Sequence, residues 1–277
     1  MTVHPAVAAA AAAAALGAAW WWNRRVRGWL PDDPPSAGRK QHAAKVPLAG
    51  VVLAPVVLPW LCAAGELWLA TAAVLACATG WLDDRGKERG AGLDWRWKAL
   101  GLLAAAAACA LGVVDPLDQP LWFCGVVAFA FVLANATNFL DNTDGVAASL
   151  SAASLLAVTG GSGPLAAVGF AAIGFLPWNW PRPWLFLGDA GAYLLGILTA
   201  AAVARQAVVE PRALLAVAVQ LADFAQVVIA RLVLGLPPWV GDRRHLTHIA
   251  QNLGLPRRAV APVFTGVALL VVFGWPA

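Results

Sequence analysis

Residues 135–145 read Asn-Ala-Thr-Asn-Phe-Leu-Asp-Asn-Thr-Asp-Gly, between long apolar runs. Asn135, Asn138, Asp141 and Asp144 recur every third residue. That spacing holds neighbours on one side of a helix end as it unwinds into a turn at Gly145. Polar groups next to lipid are costly unless satisfied or functional. Polar glue between helices is the structural alternative, but so dense a cluster points to a metal and phosphate site. Oxygen-only ligands suit Mg²⁺, which takes few carboxylates and leaves room for substrate phosphates. An EF-hand loop does not fit, because aligning Gly145 with the loop glycine puts Leu140 and Ser151 at the end ligand positions. Asn135-Ala136-Thr137 is formally a glycosylation sequon, discounted because it falls at the inner end of a span.

Four further groups can do chemistry. Asp83 and Asp84 are adjacent carboxylates that repel, so a cation to bind or a proton to share is expected. Arg85 and Lys87 could neutralise them, and Lys98 opens the next apolar run, where it can meet a phosphate. Asp189, in Phe186-Leu187-Gly188-Asp189-Ala190-Gly191, is a carboxylate flanked by glycines that let backbone approach a ligand. A helix N-cap is its structural alternative. Asn179 and Arg182 lie just upstream. Asp242-Arg243-Arg244-His245-Leu246-Thr247-His248 offers cationic donors for phosphate oxygens. The two histidines have no third zinc ligand nearby. Asp223 and Arg231 lie within an apolar segment, as functional groups or as an ion pair of the bundle.

These groups need elements to position them. The chain has 277 residues, 61% of them hydrophobic and 12% charged, about half the charge of a soluble domain. This composition excludes an ordinary soluble domain, and no nucleic-acid partner is expected. Apolar segments run over 4–22, 46–64, 66–82, 99–114, 121–137, 146–160, 164–178, 187–204, 212–235 and 259–277. They predict an all-α polytopic membrane protein of about ten transmembrane helices, as one integral-membrane domain over 1–277. Pro55 and Pro59 are expected to kink the second. No Lys or Arg precedes Arg24, so the Ala-rich stretch from His4 to Trp22 reads as a retained first helix rather than a cleaved signal.

With both termini outside, sixteen of the 19 basic residues fall in inner loops, and only Arg205 and Arg212 fall outside. Tryptophans such as Trp20, Trp81 and Trp178 fall near span ends, as an aromatic belt would. On this map all the polar clusters land on the cytoplasmic face. Cys62, Cys77, Cys109 and Cys124 lie in apolar runs without a C-x-x-C pair, and are expected to be buried and unbridged.

Taken in order, these residues resemble one family from about Arg39 to Pro256: the polyprenyl-phosphate N-acetylhexosamine-1-phosphate transferases, which include MraY and the WecA-like enzymes. Arg39-Lys40-Gln41-His42 with Pro47 and Gly50 is similar to its early basic motif. Leu82-Asp83-Asp84 with Gly92-Leu93 and Lys98 resembles its aspartate-pair motif, and Asn135…Gly145 its N-x-x-N-x-x-D core. Asn179-x-Pro181 with Phe186-x-Gly188-Asp189-x-Gly191 looks like the next motif. Asp223, Arg231 and Asp242-Arg243-x-His245-x-x-His248 are similar to the final stretch of the WecA-like branch. Three positions depart. Asn142 replaces a glycine, Ala192 stands where serine is frequent, and Thr247 interrupts the histidine run.

The resemblance implies a reaction. A polyprenyl (undecaprenyl) phosphate attacks the sugar-bearing phosphorus of a UDP-N-acetylhexosamine, with UDP-GlcNAc the first expectation, and UMP leaves. An MraY-type muramoyl-pentapeptide transferase is the alternative within the family. A membrane transporter is the alternative of another class, disfavoured because the acids sit at span ends and no internal repeat is seen. The implied cofactor is Mg²⁺, with Mn²⁺ able to substitute, on Asp189 with Asp141 or Asp144. Asp83 and Asp84 would position or deprotonate the lipid phosphate. Arg39, Lys40, His42, Lys98, Asn135, Asn138, Asn179, Arg243, His245 and His248 would bind substrates. Direct displacement is expected rather than a phosphoaspartate. The resemblance also implies the bacterial cytoplasmic (inner) membrane, cell-envelope polysaccharide synthesis and a homodimer.

Overall fold

A computed structural model describes residues 4–26, 28–33, 45–237 and 243–274. Helices dominate it, and each of the ten expected apolar segments carries one. In order they are α1 (Val7–Arg25), α2 (Leu53–Ala63), α3 (Leu67–Glu88), α4 (Trp95–Leu111), α5 (Pro120–Leu140), α6 (Val146–Thr159), α7 (Gly163–Asn179), α8 (Gly188–Ala207) and α9 (Ala218–Val233). A short α10 (Leu246–Asn252) and α11 (Arg257–Phe273) follow. The other regular structure is one antiparallel pair, β1 (Asp32–Asp33) with β2 (Val46–Pro47), and two 3-10 turns, Gly50–Val52 and Pro211–Val217. The fold is all-α, and among the described residues three helical stretches are long and apolar enough to cross a membrane: Pro120–Leu140, Gly188–Ala207 and Pro211–Val233. At 11 and 14 residues, α2 and α6 fall short of the ~20 residues that span a bilayer.

Helix α8 is the axis of the bundle. It is buried without a break from Gly188 to Ala204, with α3 and α5 packed along it. Its composition explains this. Alanine, glycine and leucine leave a thin cylinder whose neighbours approach closely. Gly80 of α3 lies against the Asp189–Ala190 backbone, where an added Cβ would collide. Asp84 lies one turn beyond Gly80 on the same face, so the glycine that lets the helices touch also brings that carboxylate to the start of α8. Helix α11 holds the other side, packing Val260, Ala261 and Ala268 against Leu140, Val146 and Leu150 at the junction of α5 and α6.

The two ends of the bundle differ in charge. At one end meet the last turns of α3, α5 and α7 with the first turns of α4, α8 and α11. Arg85 there donates to the carbonyls of Gly28 and Trp29, just beyond α1. At the opposite end Arg205 forms a two-pronged ion pair with Glu66, both contacts at 2.7 Å, and also donates to the Gly112 carbonyl.

The structure changes several sequence expectations. Helix α3 continues through Asp83 and Asp84 to Glu88 instead of ending at 82. The expected inner loop 236–258 contains α10. The four cysteines are unbridged, but only Cys77 and Cys109 are buried, while Cys62 and Cys124 are exposed on the bundle surface. An apolar position facing outward is ordinary for a helix whose surroundings are lipid.

Candidate active site

Asp83 and Asp84 are both buried, at 1% and 2% exposure, and their carboxylates point to different partners. Asp83 accepts the Leu93 N–H at 2.8 Å and lies 2.7 Å from the ammonium groups of both Lys87 and Lys98. Asp84 accepts the N–H groups of Asp189 and Ala190 at 3.1 and 3.2 Å. It thus satisfies two of the orphan donors at the start of α8 and meets the positive end of that helix.

Asp189 is the hub. One carboxylate oxygen is 2.9 Å from Lys87 and accepts from the Asn138 amide at 2.9 Å. The other is 3.2 Å from Lys98 and accepts from the Tyr193 hydroxyl at 3.3 Å. Four helices meet here. Asp83 and Lys87 come from one face of α3, Lys98 from the first turn of α4, and Asn138 from the last turn of α5. Asp189 and Tyr193 stand one turn apart on α8.

Asp141, just past α5, accepts the Gly188 N–H. Burial pushes its carboxyl well above the usual carboxylate range, and the negative charges of Asp189 and Asp84 act the same way. Among the described residues, Asp83 and Asp189 share two ammonium groups here, with the carboxyl groups of Asp84 and Asp141 beside Asp189. The excess of negative charge and the oxygen-only donor set fit a divalent cation. No group of three or more His, Cys, Asp or Glu side chains forms a ready cage among the described residues.

The rest of the 135–145 stretch builds the loop. Asp144 pairs with Arg257 at 2.8 Å. Gly145 adopts φ +76°, and a Cβ there would come within 2.8 Å of the Trp180 side chain. Its N–H donates to the Asn179 side chain at 2.7 Å, and the Asn179 amide donates to the Leu185 carbonyl at 3.0 Å. Asn179, expected to contact substrate, thus spends both ends of its amide on backbone. Asn135 donates to the Phe131 carbonyl one turn back.

The histidines lie on the neighbouring element. His245 Nδ1 is 2.9 Å from Asp223, which also accepts the Leu246 N–H at 2.6 Å. Asp223 is wholly buried. Between the two roles the sequence left open for it, the structure gives it His245 as partner, while Arg231 lies 4.8 Å over the Phe139 ring. His248 is 5% exposed, its ring centroid 6.1 Å from that of His245. Burial lowers its pKa first, then the charges of His245 and Arg243. Arg39, Lys40, His42 and Asp242 lie outside the described residues.

The structure therefore gathers Asp83, Asp84, Lys98, Asn138, Asp141 and Asp189 into one cluster, with Asp144, His245 and His248 on adjoining elements. Sequence reasoning named Lys87 as a neutraliser of the aspartate pair, as its 2.7 Å contact with Asp83 bears out, but not its reach to Asp189, and it missed Tyr193 as a member and Arg257 as the partner of Asp144. Lys87 is four residues from Asp83, and Tyr193 four from Asp189, a helical spacing that signals both once the helix boundaries are known. Nothing in the sequence pairs Arg257 with Asp144.

Residues 67–206, from the start of α3 to the end of α8, match the sequence pattern of glycosyl transferase family 4. The segment covers half of the chain and contains every member of the carboxylate–lysine cluster. The chain is similar to the Decaprenyl-phosphate N-acetylglucosaminephosphotransferase of Mycolicibacterium smegmatis, 30% identical over 72% of this chain and 60% of that protein. It is 40% identical to the Undecaprenyl-phosphate alpha-N-acetylglucosaminyl 1-phosphate transferase of Thermotoga maritima, over 30% of this chain and 24% of that one. The Escherichia coli protein of the same name is 27% identical over 85% of this chain and 74% of its own length. The chain thus spans 60% or less of the Mycolicibacterium and Thermotoga proteins. With the matched segment and the cluster coinciding, the chain belongs to glycosyl transferase family 4.

Proposed function

We propose that the protein transfers N-acetylglucosamine 1-phosphate from UDP-GlcNAc to a polyprenyl phosphate such as undecaprenyl phosphate. The observation that carries this reading is Asp189 held between Lys87, Lys98, Asn138 and Tyr193 at the charged end of the bundle. A phosphate oxygen of the lipid attacks the sugar-bearing phosphorus. The bond from that phosphorus to the bridging oxygen breaks, and UMP leaves with the oxygen. Phosphoryl transfer of this kind needs alignment and charge neutralisation more than covalent chemistry.

Lys87 and Lys98 hold phosphate oxygens, and Asp83 keeps both ammonium groups in place. Asp84 fixes the start of α8 and with it Asp189. Asn138 orients the Asp189 carboxylate. His245 and Arg243 contact donor phosphates from the side of α10. Asp189 with Asp141 would hold Mg²⁺, which when bound neutralises diphosphate oxygens. Each oxygen of Asp83 and Asp84 already has a partner, which supports direct displacement over a phosphoaspartate.

The membrane arrangement proposed with it has about ten spans in one integral domain, both termini outside and the cluster on the cytoplasmic face of a bacterial inner membrane, the protein working as a homodimer. The contrast between the two ends of the bundle supports that orientation.

The test is UMP release from a panel of UDP-sugars, including UDP-GlcNAc and UDP-N-acetylmuramoyl-pentapeptide, by purified protein with Mg²⁺ and undecaprenyl phosphate. Lipid-dependent release with UDP-GlcNAc is expected. Release from the pentapeptide donor alone, or from none, overturns the reading.

A further inference from the structure

Loop 141–145 and α10 meet through a small set of side chains to which the proposed chemistry gives no role. The Thr247 hydroxyl donates to Asn142 Oδ1 at 2.6 Å, and the Thr143 hydroxyl donates to the same oxygen at 2.8 Å. Gln251, one turn on from Thr247, donates to Thr143 Oγ1 at 3.3 Å and to the Thr247 carbonyl at 3.1 Å. The Asn142 amide donates to the Phe139 carbonyl, tying the side chain to the end of α5. Thr247 is wholly buried and Thr143 nearly so.

Helix α10 has seven residues, too few to hold its own structure without tertiary contacts. Asp223 secures its first residues to α9. The Asn142–Thr247 hydrogen bond secures its middle to the carboxylate loop. Asn142 follows Asp141 directly, and Thr247 lies between His245 and His248. This bond, the shorter of the two between the loop and α10, therefore ties the carboxylate side of the site to its histidine side. Both residues are positions at which the chain departs from the pattern it resembles. A glycine at 142 has no side chain to accept this bond.

We propose that Asn142 and Thr247 form a positioning pair that locks α10 onto the carboxylate loop and thereby sets the grip on the nucleotide-sugar. The identity of the substrate rests on the transferase reading above. Neither residue needs to touch substrate. Their effect runs through His245 and His248.

The test uses the full chain in lipid nanodiscs, with T247V, T247S, N142A and the N142A/T247V double variant. The readouts are KM for UDP-GlcNAc, KM for undecaprenyl phosphate, and amide hydrogen exchange over 246–252. T247V and N142A are each expected to raise the UDP-GlcNAc KM about tenfold, with the lipid KM unchanged. The double variant should be no worse than the poorer single variant, because the two report one contact. T247S, which keeps the hydroxyl, should match wild type. Amides of α10 should exchange faster in T247V and N142A while those of α8 do not. Additive losses, a T247S defect as large as that of T247V, or unchanged α10 exchange overturns the pairing. N142A reads the same contact from the other side should T247V not fold. If the wild type releases no UMP from any UDP-sugar, the transferase reading fails, and α10 exchange still decides the pairing.

Discussion

Asp84 caps the helix that carries Asp189: its two carboxylate oxygens accept the N–H groups of Asp189 itself and of Ala190. One acid of the aspartate pair thus holds the backbone under the hub of the cluster, while its neighbour Asp83 holds the lysines around it. A pair that looks redundant in sequence divides into two jobs, because successive residues on a helix point about 100° apart.

This division predicts different defects for the two acids. Asp84→Ala removes a cap that is worth ~1 kcal/mol and leaves two buried donors unsatisfied. It should lower the midpoint of thermal unfolding in detergent by ~2–4 °C, in line with a protein of this size. Asp83→Asn keeps an acceptor for the Leu93 N–H, so it should shift that midpoint less and act on lipid-phosphate KM, because it removes one of the two carboxylates that Lys87 and Lys98 share. Equal thermal shifts in the two variants would contradict the assignment.

Asp189→Asn keeps the side chain's shape but removes the charge that Lys87 and Lys98 surround. Insertion and folding should be normal, with UMP release lowered by at least ~10³-fold, the scale of losing a central electrostatic group. Chelation of divalent ions should silence the wild type, and added Mg²⁺ should restore it. The variant should not recover at any Mg²⁺ concentration. Wild-type turnover in D189N would remove Asp189 from the proposed metal site.

Gly145→Ala places a Cβ on a left-handed residue and against Trp180. The conformational cost alone is ~1–2 kcal/mol, and the steric contact adds to it. Asn179→Ala removes the partner of the same residue's N–H and strands the Leu185 carbonyl. Because both act on one loop, the double variant should lose less stability than the summed singles, as read by thermal unfolding. Strict additivity would show that the Asn179 bridge does not act through Gly145.

Much of this site was legible because lipid makes polar residues conspicuous. Apolar runs located the helices, Gly145 marked the turn, and the acids stood out as groups with no reason to be buried. Hydropathy loses its signal where a helix leaves the membrane and continues through polar residues. That is why α3 runs to Glu88 when its apolar pattern ends near Leu82, and why the reach of Lys87 across to Asp189 could not be read from its place beside the aspartate pair. Residue type also misled. Asn179 has the chemistry of a ligand, yet its environment makes it a backbone clamp. Long-range pairs such as Asp144 with Arg257, or Asn142 with Thr247, arise from packing between elements over a hundred residues apart and leave no local trace.

His248 supplies a prediction in pH. His245, Arg243, Asp223 and Arg257 are the titratable and charged groups that act on it, and of these only Asp223 favours its protonation. Burial, with His245, Arg243 and Arg257 nearby, holds its pKa below the free value of about 6.5. The folded protein therefore keeps His248 neutral at a pH where the unfolded chain has already taken up a proton. The unfolded state binds more protons in that window, so stability rises with pH there and levels off above about 6.5. Lowering the pH from 7 should thus destabilise the wild type, with onset near the free histidine pKa. His248→Gln keeps the size and polarity without the titration. Its denaturation midpoint should be flatter across the same range, and subtracting the two profiles should isolate the single group. Identical slopes in wild type and H248Q would show that His248 is as easily protonated folded as unfolded.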